Sequence, residues 1–177
     1  MKLRYVASPL DAMQLLVMRR VDHALLAEPA ASMALRKTKS FPISVIAPEL
    51  HRSVNLQQEW GRVFATESRM PQAGITVLGA LKDRPDLLAK FQQAYASSLE
   101  WCQKNSVQCG EIVAKRVDML TPEAVADSMT TSQMSFVTAQ QAKPALESFY
   151  ARLLSKEPAL LSGKLPDERF YFTDSVK

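Results

Sequence analysis

A chain of 177 residues with 22 Lys and Arg against 18 Asp and Glu, and 47% hydrophobic residues, has the make-up of a globular protein of one domain or two small lobes. That length removes roughly two-thirds of the unfolded surface from water, so folding requires no metal staple, and two cysteines exclude a dense disulfide framework. No apolar run nears the roughly 20 residues of a membrane-spanning helix. The surplus is only four positive charges, and the scattered basic residues are densest at Arg19 and Arg20, at Arg36, Lys37 and Lys39, and at Lys115 and Arg116, without the interleaved aromatics of a nucleic-acid surface.

In chain order, Lys2 to Ala7 reads as a short strand. It has no long apolar segment behind it and Asp11 where one would lie, so it does not read as a signal peptide; a chain opening inside a strand is expected to be cut from a longer one. Leu10 to Arg20 carries Leu10, Met13, Leu16 and Val17 at helical spacing, and Asp22 to Ala27 is a second apolar run. Ala30 to Lys37 is helical, and Pro42 to Ala47 gives a third strand. Strands alternating with short helices predict parallel βαβ units. A helix is expected across Val54 to Phe64, and Ala73 to Gly79 makes a fourth strand.

From residue 80 the pattern turns helical. Pro85 opens a helix whose stripe is Leu88, Phe91, Tyr95, Leu99 and Cys102. A second helix runs from about Ser106 to Val117, and a third starts with Thr121 as N-cap, Pro122 at the first helical position and Glu123 in the first turn. A fourth carries Leu146, Phe149, Tyr150, Leu153 and Leu154. Met134 to Thr138 is a short strand or an extended link, and the aromatic tail from Gly163 to Phe172 is expected to pack onto something. The expected fold class is therefore α/β, a parallel-type sheet of βαβ units over residues 1–79 followed by a helical segment over residues 80–177.

The catalytic inventory is thin. There is no glycine-rich phosphate loop and no Gly-x-Ser-x-Gly elbow, and only His23 and His51 supply imidazoles. Cys102 and Cys109 have the wrong spacing for a zinc knuckle and no second ligand pair, so neither a metal nor a cofactor is expected. Two turns say more. Ser8-Pro9-Leu10-Asp11 offers an N-cap hydroxyl, a proline at the first helical position and a carboxylate in the first turn; Ala27-Glu28-Pro29-Ala30 again places Pro to open a helix, with an acid at its mouth. In an open parallel sheet both helix N-termini would face one edge, where ligands bind. On spacing alone Ser8, Glu28, Pro29 and Ala30 are candidate ligand-binding residues, with simple helix capping an equal alternative for Ser8 and Glu28.

The run from Ala7 to Leu16 together with Val21-Asp22-His23-Ala24-Leu25-Leu26-Ala27-Glu28-Pro29-Ala30-Ala31 resembles the second lobe of periplasmic substrate-binding proteins of ABC importers, of the nitrate, sulfonate and taurine type. Pro71, the Ile-Thr-Val-Leu run after it, Leu81-Lys82-Asp83-Arg84-Pro85, the helix with Ala94-Tyr95-Ala96, and Trp101 are similar to that family's return segment and C-terminal helices. The resemblance implies part of a type II periplasmic-binding fold, lacking the first lobe. It further implies a non-enzymatic, periplasmic solute-binding component that captures a small polar or anionic molecule and docks on an ABC permease. Relatives of that fold include an enzyme and binders of thiamine pyrimidine metabolism, which is the alternative reading.

Cys102 ends the long helical stripe and Cys109 lies early in the next helix. A helical hairpin would bring their Cα atoms within the roughly 4.4 to 6.8 Å a disulfide requires, and the export that the resemblance implies would let the bond form. Helices shaped to pack on an absent lobe would leave apolar faces bare, so the chain is also expected to form a homodimer.

Overall fold

The computed structural model describes residues 2–47, 49–132 and 134–173. Seven α-helices occur among them: α1 Pro9–Val17, α2 Ala30–Lys39, α3 Leu56–Phe64, α4 Pro85–Lys104, α5 Ser106–Ala114, α6 Pro122–Thr131 and α7 Ala139–Lys156. Short 3-10 helices cover Ile43–Val45, Gly79–Asp83, Pro158–Leu161 and Glu168–Phe170. The chain divides into two compact units, Met1–Arg52 with Ser97–Met134, and Ser53–Ala96 with Ser135–Lys177.

In the first unit, local chemistry sets each helix start. Ser8 accepts the Asp11 N–H at 3.1 Å and Pro9 opens α1, which buries Met13 and Leu16. α2 packs on α1 and α6 through a face of small residues, Ala30, Ser32, Ala34 and Thr38, and the Thr38 hydroxyl donates back to the Ala34 carbonyl at 3.1 Å. Thr121 caps α6 by accepting from the Ala124 N–H at 3.3 Å, with Pro122 following at the first helical position. α5 and α6 then meet closely through Cys109 and Gly110 on one side and Ala124, Val125 and Ser128 on the other. Gly110 is required there, because a Cβ on it would lie 2.2 Å from the Pro122 carbonyl oxygen.

The second unit is held by aromatic side chains around α3 and α7. Asn55 caps α3 by accepting from the Gln57 and Gln58 N–H groups at 2.9 and 3.3 Å. Trp60 lies 4.4 Å from Phe64 and 5.5 Å from Phe149, centroid to centroid, while the Arg152 guanidinium sits 3.9 Å over the Phe64 ring. α7 begins with a capping box in which Thr138 accepts from the Gln141 N–H and the Gln141 side chain accepts from the Thr138 N–H. The tail returns onto this helix. Tyr171 is buried, its carbonyl accepts from Gln140 Nε2 at 3.2 Å, and Lys143 stands 5.3 Å from its ring centroid.

No strand occurs among the described residues, which are helical and sheet-free, and this overturns the α/β fold class, the parallel sheet and the partial type II periplasmic-binding fold. The physical reason differs by segment. A strand exists only where a neighbour accepts its backbone hydrogen bonds about 4.8 Å away. Residues 2–6, 23–26 and 71–78 have no regular structure and make no backbone–backbone hydrogen bond among the described residues, while the Ala27 carbonyl accepts from the Ala31 N–H at 3.2 Å as a helix-start bond, so these apolar runs pair with no neighbouring strand there. Across Pro42 to Ala47 local bonds win instead. The Val45 N–H donates to the Pro42 carbonyl at 3.2 Å and the Ile46 N–H to the Ile43 carbonyl at 3.0 Å, turning the expected strand into a 3-10 turn. Residues 134–138 have no regular structure either.

Candidate functional site

The parallel-sheet edge at which two helix N-termini were expected to converge does not occur among the described residues. Ser8 is engaged at the start of α1, where its hydroxyl donates to Asp11 Oδ2 at 2.8 Å while accepting from the Asp11 N–H. Glu28 stands just before Pro29 and α2, and its Oε2 accepts from the Ser32 N–H at 3.1 Å, filling a donor that Pro29 cannot serve. Pro29 takes the N-cap place and Ala30 is buried on the packing face of α2. No hydrogen bond among the described residues joins the Ser8–Asp11 pair to Glu28.

Glu28 nevertheless nucleates a polar cluster in the first unit. Its Oε1 forms an ion pair with Arg52, and the same Arg52 Nη2 donates to the Ser32 hydroxyl at 2.9 Å. Ser32 is 1% exposed, so its hydroxyl is satisfied by a guanidinium that reaches in from outside. One helical turn further on, Arg36 grips Asp127 of α6 with two parallel bonds, Nε to Oδ2 at 2.5 Å and Nη2 to Oδ1 at 2.8 Å. Those bonds from Arg36 hold the Asp127 carboxyl below its ordinary range against a smaller desolvation effect, with the charges of Arg36 and Arg52 adding to the depression. The Arg36 guanidinium is raised in turn, first by the Asp127 hydrogen bonds.

Between these pairs lies an open depression of about 390 Å³ lined by Leu35, Arg36, Lys39, Ser40, Arg52 and Asp127. Three cations face one carboxylate there, and Glu28, which holds Arg52 from behind, leaves one net positive charge. Lys39 forms no ion pair among the described residues and is exposed. The arrangement can hold a small anion by charge and by guanidinium hydrogen bonds, with Ser40 as a neutral donor.

Arg52, Asp127 and Lys39 were not among the expected site residues. The Arg36, Lys37 and Lys39 group is visible in the sequence, but as cations complementing the C-terminal end of a helix. Nothing local announces Arg52 or Asp127, which reach Glu28 and Arg36 across 24 and 91 positions. His23 and His51 are both exposed, and among the described residues no group of three or more His, Cys, Asp or Glu gathers as metal ligands. Cys102 and Cys109 are joined by a disulfide with Cα atoms 5.1 Å apart. Comparisons with protein-family models, with curated proteins and with solved structures find no match.

Proposed function

We propose that this chain captures a small anionic solute, such as a sulfonate or nitrate, without transforming it, as a solute-binding component of an importer. Two things support the reading. The wording from Ala7 to Ala31 resembles such components, and the Glu28-Pro29 turn within it supports the cluster of Glu28, Ser32 and Arg52. The observation that carries it is the depression in which Arg36, Lys39 and Arg52 outnumber carboxylates. In this reading Glu28 is a positioning residue that aims Arg52, rather than a direct ligand of the solute. The sheet-based cleft that the resemblance implied plays no part. The periplasm as compartment, a permease as docking partner and self-association as a homodimer belong to the same proposal.

Calorimetric titration with nitrate, sulfate and a short alkanesulfonate tests it. One of these should bind with a saturable signal, and Arg52→Ala should weaken that binding about tenfold or more, equivalent to the roughly 1.4 kcal/mol of one charge-assisted contact. Absence of saturable binding by all three, or an Arg52→Ala protein with unchanged affinity, refutes the assignment.

A further inference from the structure

The junction between α4 and α5 is unusual in what it lacks. α4 ends at Lys104 and α5 begins at Ser106, so the break is the single residue Asn105, with φ −130° and ψ 53°. Residues 103–108, Gln-Lys-Asn-Ser-Val-Gln, contain neither Gly nor Pro. No side chain caps α5, since Asn105 turns its amide back to donate to the Trp101 carbonyl at 2.9 Å. Sequence and capping thus give no cause to interrupt a helix that would otherwise continue from Pro85 to Ala114.

The disulfide supplies the cause. In an unbroken α-helix, residues seven apart are separated by about 10.5 Å, well beyond the roughly 4.4 to 6.8 Å that a disulfide spans. Cys102 and Cys109 stand at that sequence separation with Cα atoms 5.1 Å apart. The bond and a continuous helix therefore exclude one another. The break has a visible cost, because the N–H groups of Ser106, Val107 and Gln108 are the first amides of α5 and have no backbone acceptor among the described residues. In a continuous helix they would donate to the carbonyls of Cys102, Gln103 and Lys104.

We propose that the Cys102–Cys109 bond is a redox-dependent clamp that holds the α4–α5 break open, and that its reduction joins the two helices into one. The step is a two-electron exchange with a dithiol. A thiolate of the dithiol attacks the Cys102 sulfur, which is the more accessible of the pair, since Cys109 is 1% exposed. The Cys109 thiolate departs and is protonated; the second thiol of the reductant then displaces Cys102, leaving two protein thiols and one oxidised dithiol. α6 moves with α5, because Gly110 lies directly against Pro122.

Residue-resolved amide hydrogen exchange on the whole chain, oxidised and after treatment with a dithiol, decides the matter. The Ser106, Val107 and Gln108 amides should slow by about tenfold or more on reduction, as newly made helical bonds protect them. Ser106→Pro provides the control. Proline suits the first position of α5 in the broken form but cannot sit inside a continuous helix, so in this variant Val107 and Gln108 should stay fast in both redox states. Unchanged or faster exchange on reduction overturns the clamp, as does a slowing of Val107 and Gln108 on reduction in the Ser106→Pro protein as large as in the parent.

Discussion

Replacing Gly110 with Ala tests the α5–α6 packing against the simplest competing expectation. On helix propensity alone the change stabilises, since Ala in a helix interior is favoured over Gly by about 0.8–1.0 kcal/mol. The structure opposes this. The new Cβ would fall 2.2 Å from the Pro122 carbonyl oxygen, 3.0 Å from its carbon and 3.3 Å from its Cα. All three are backbone atoms at the start of α6, so no side chain can swing away and the helices must part by roughly 1 Å to reach ordinary contact. Overpacking of a fitted core costs about 1–3 kcal/mol, and a backbone collision belongs at the upper end. The net expectation is a loss of about 2 kcal/mol, concentrated where Cys109, Ala124 and Val125 are buried. Urea unfolding followed by far-ultraviolet circular dichroism, with both proteins oxidised, should show the midpoint falling by about 1 M at an unchanged slope. Gly74→Ala is the comparison, because no atom lies within 4 Å of its new Cβ. It should leave the midpoint level or slightly raised. A Gly110→Ala protein as stable as the parent, or more so, would show that α5 and α6 are not in the contact described.

Two further expectations concern charge and association. Because Arg36 holds the Asp127 carboxyl below the ordinary range of an aspartate, its contribution is complete above that range and disappears as pH falls through the lower folded value; Asp127→Asn should thus flatten acid unfolding below about pH 4. Both partners are more than a third exposed, so a double-mutant cycle with Arg36→Ala should give only about 0.2–1 kcal/mol at neutral pH, and a null coupling would refute the pairing. Among the described residues the second unit buries only Leu88 and Tyr171 of its large apolar side chains while Phe91, Tyr95, Leu160 and Phe170 stay exposed, so light scattering should report a dimer that Phe91→Lys and Phe170→Lys weaken. A monomer at every concentration would exclude it.

Helix starts were the most legible feature of the sequence, because capping is chemistry between residues two or three positions apart. Ser8 before Pro9 and Thr121 before Pro122 coincide with observed caps for that reason. Helix faces at 3.6-residue spacing are similarly local. Strands are not, and Ile75-Thr76-Val77-Leu78 shows why. The β-branched run fits a buried strand, but fitness for a sheet describes what a segment can do beside a neighbour and cannot provide the neighbour. With none in place Ile75 and Leu78 are exposed and the backbone is unpaired. At Ile43 the same ambiguity of short apolar runs resolved the other way, into a 3-10 turn closed by the carbonyls of Pro42 and Ile43.

The same division between local and distant effects runs through the candidate site. The acid-proline turn correctly draws attention to Glu28, but spacing alone leaves open whether its carboxylate serves the helix or a ligand. Geometry makes it serve two partners at once, the Ser32 N–H through one oxygen and Arg52 through the other. That division fixes the orientation of Arg52, whose guanidinium is left with donors beyond those given to Glu28 and Ser32. Arg36 is held in the same manner by Asp127, on the side of the depression formed by α6. Two guanidinium groups are thus held in place by carboxylates, with Lys39 beside them forming no ion pair among the described residues, so charge in this depression is oriented before any anion arrives. Orientation of this kind lowers the ordering cost of binding, because the two long side chains have already lost their rotamer freedom to their acidic partners.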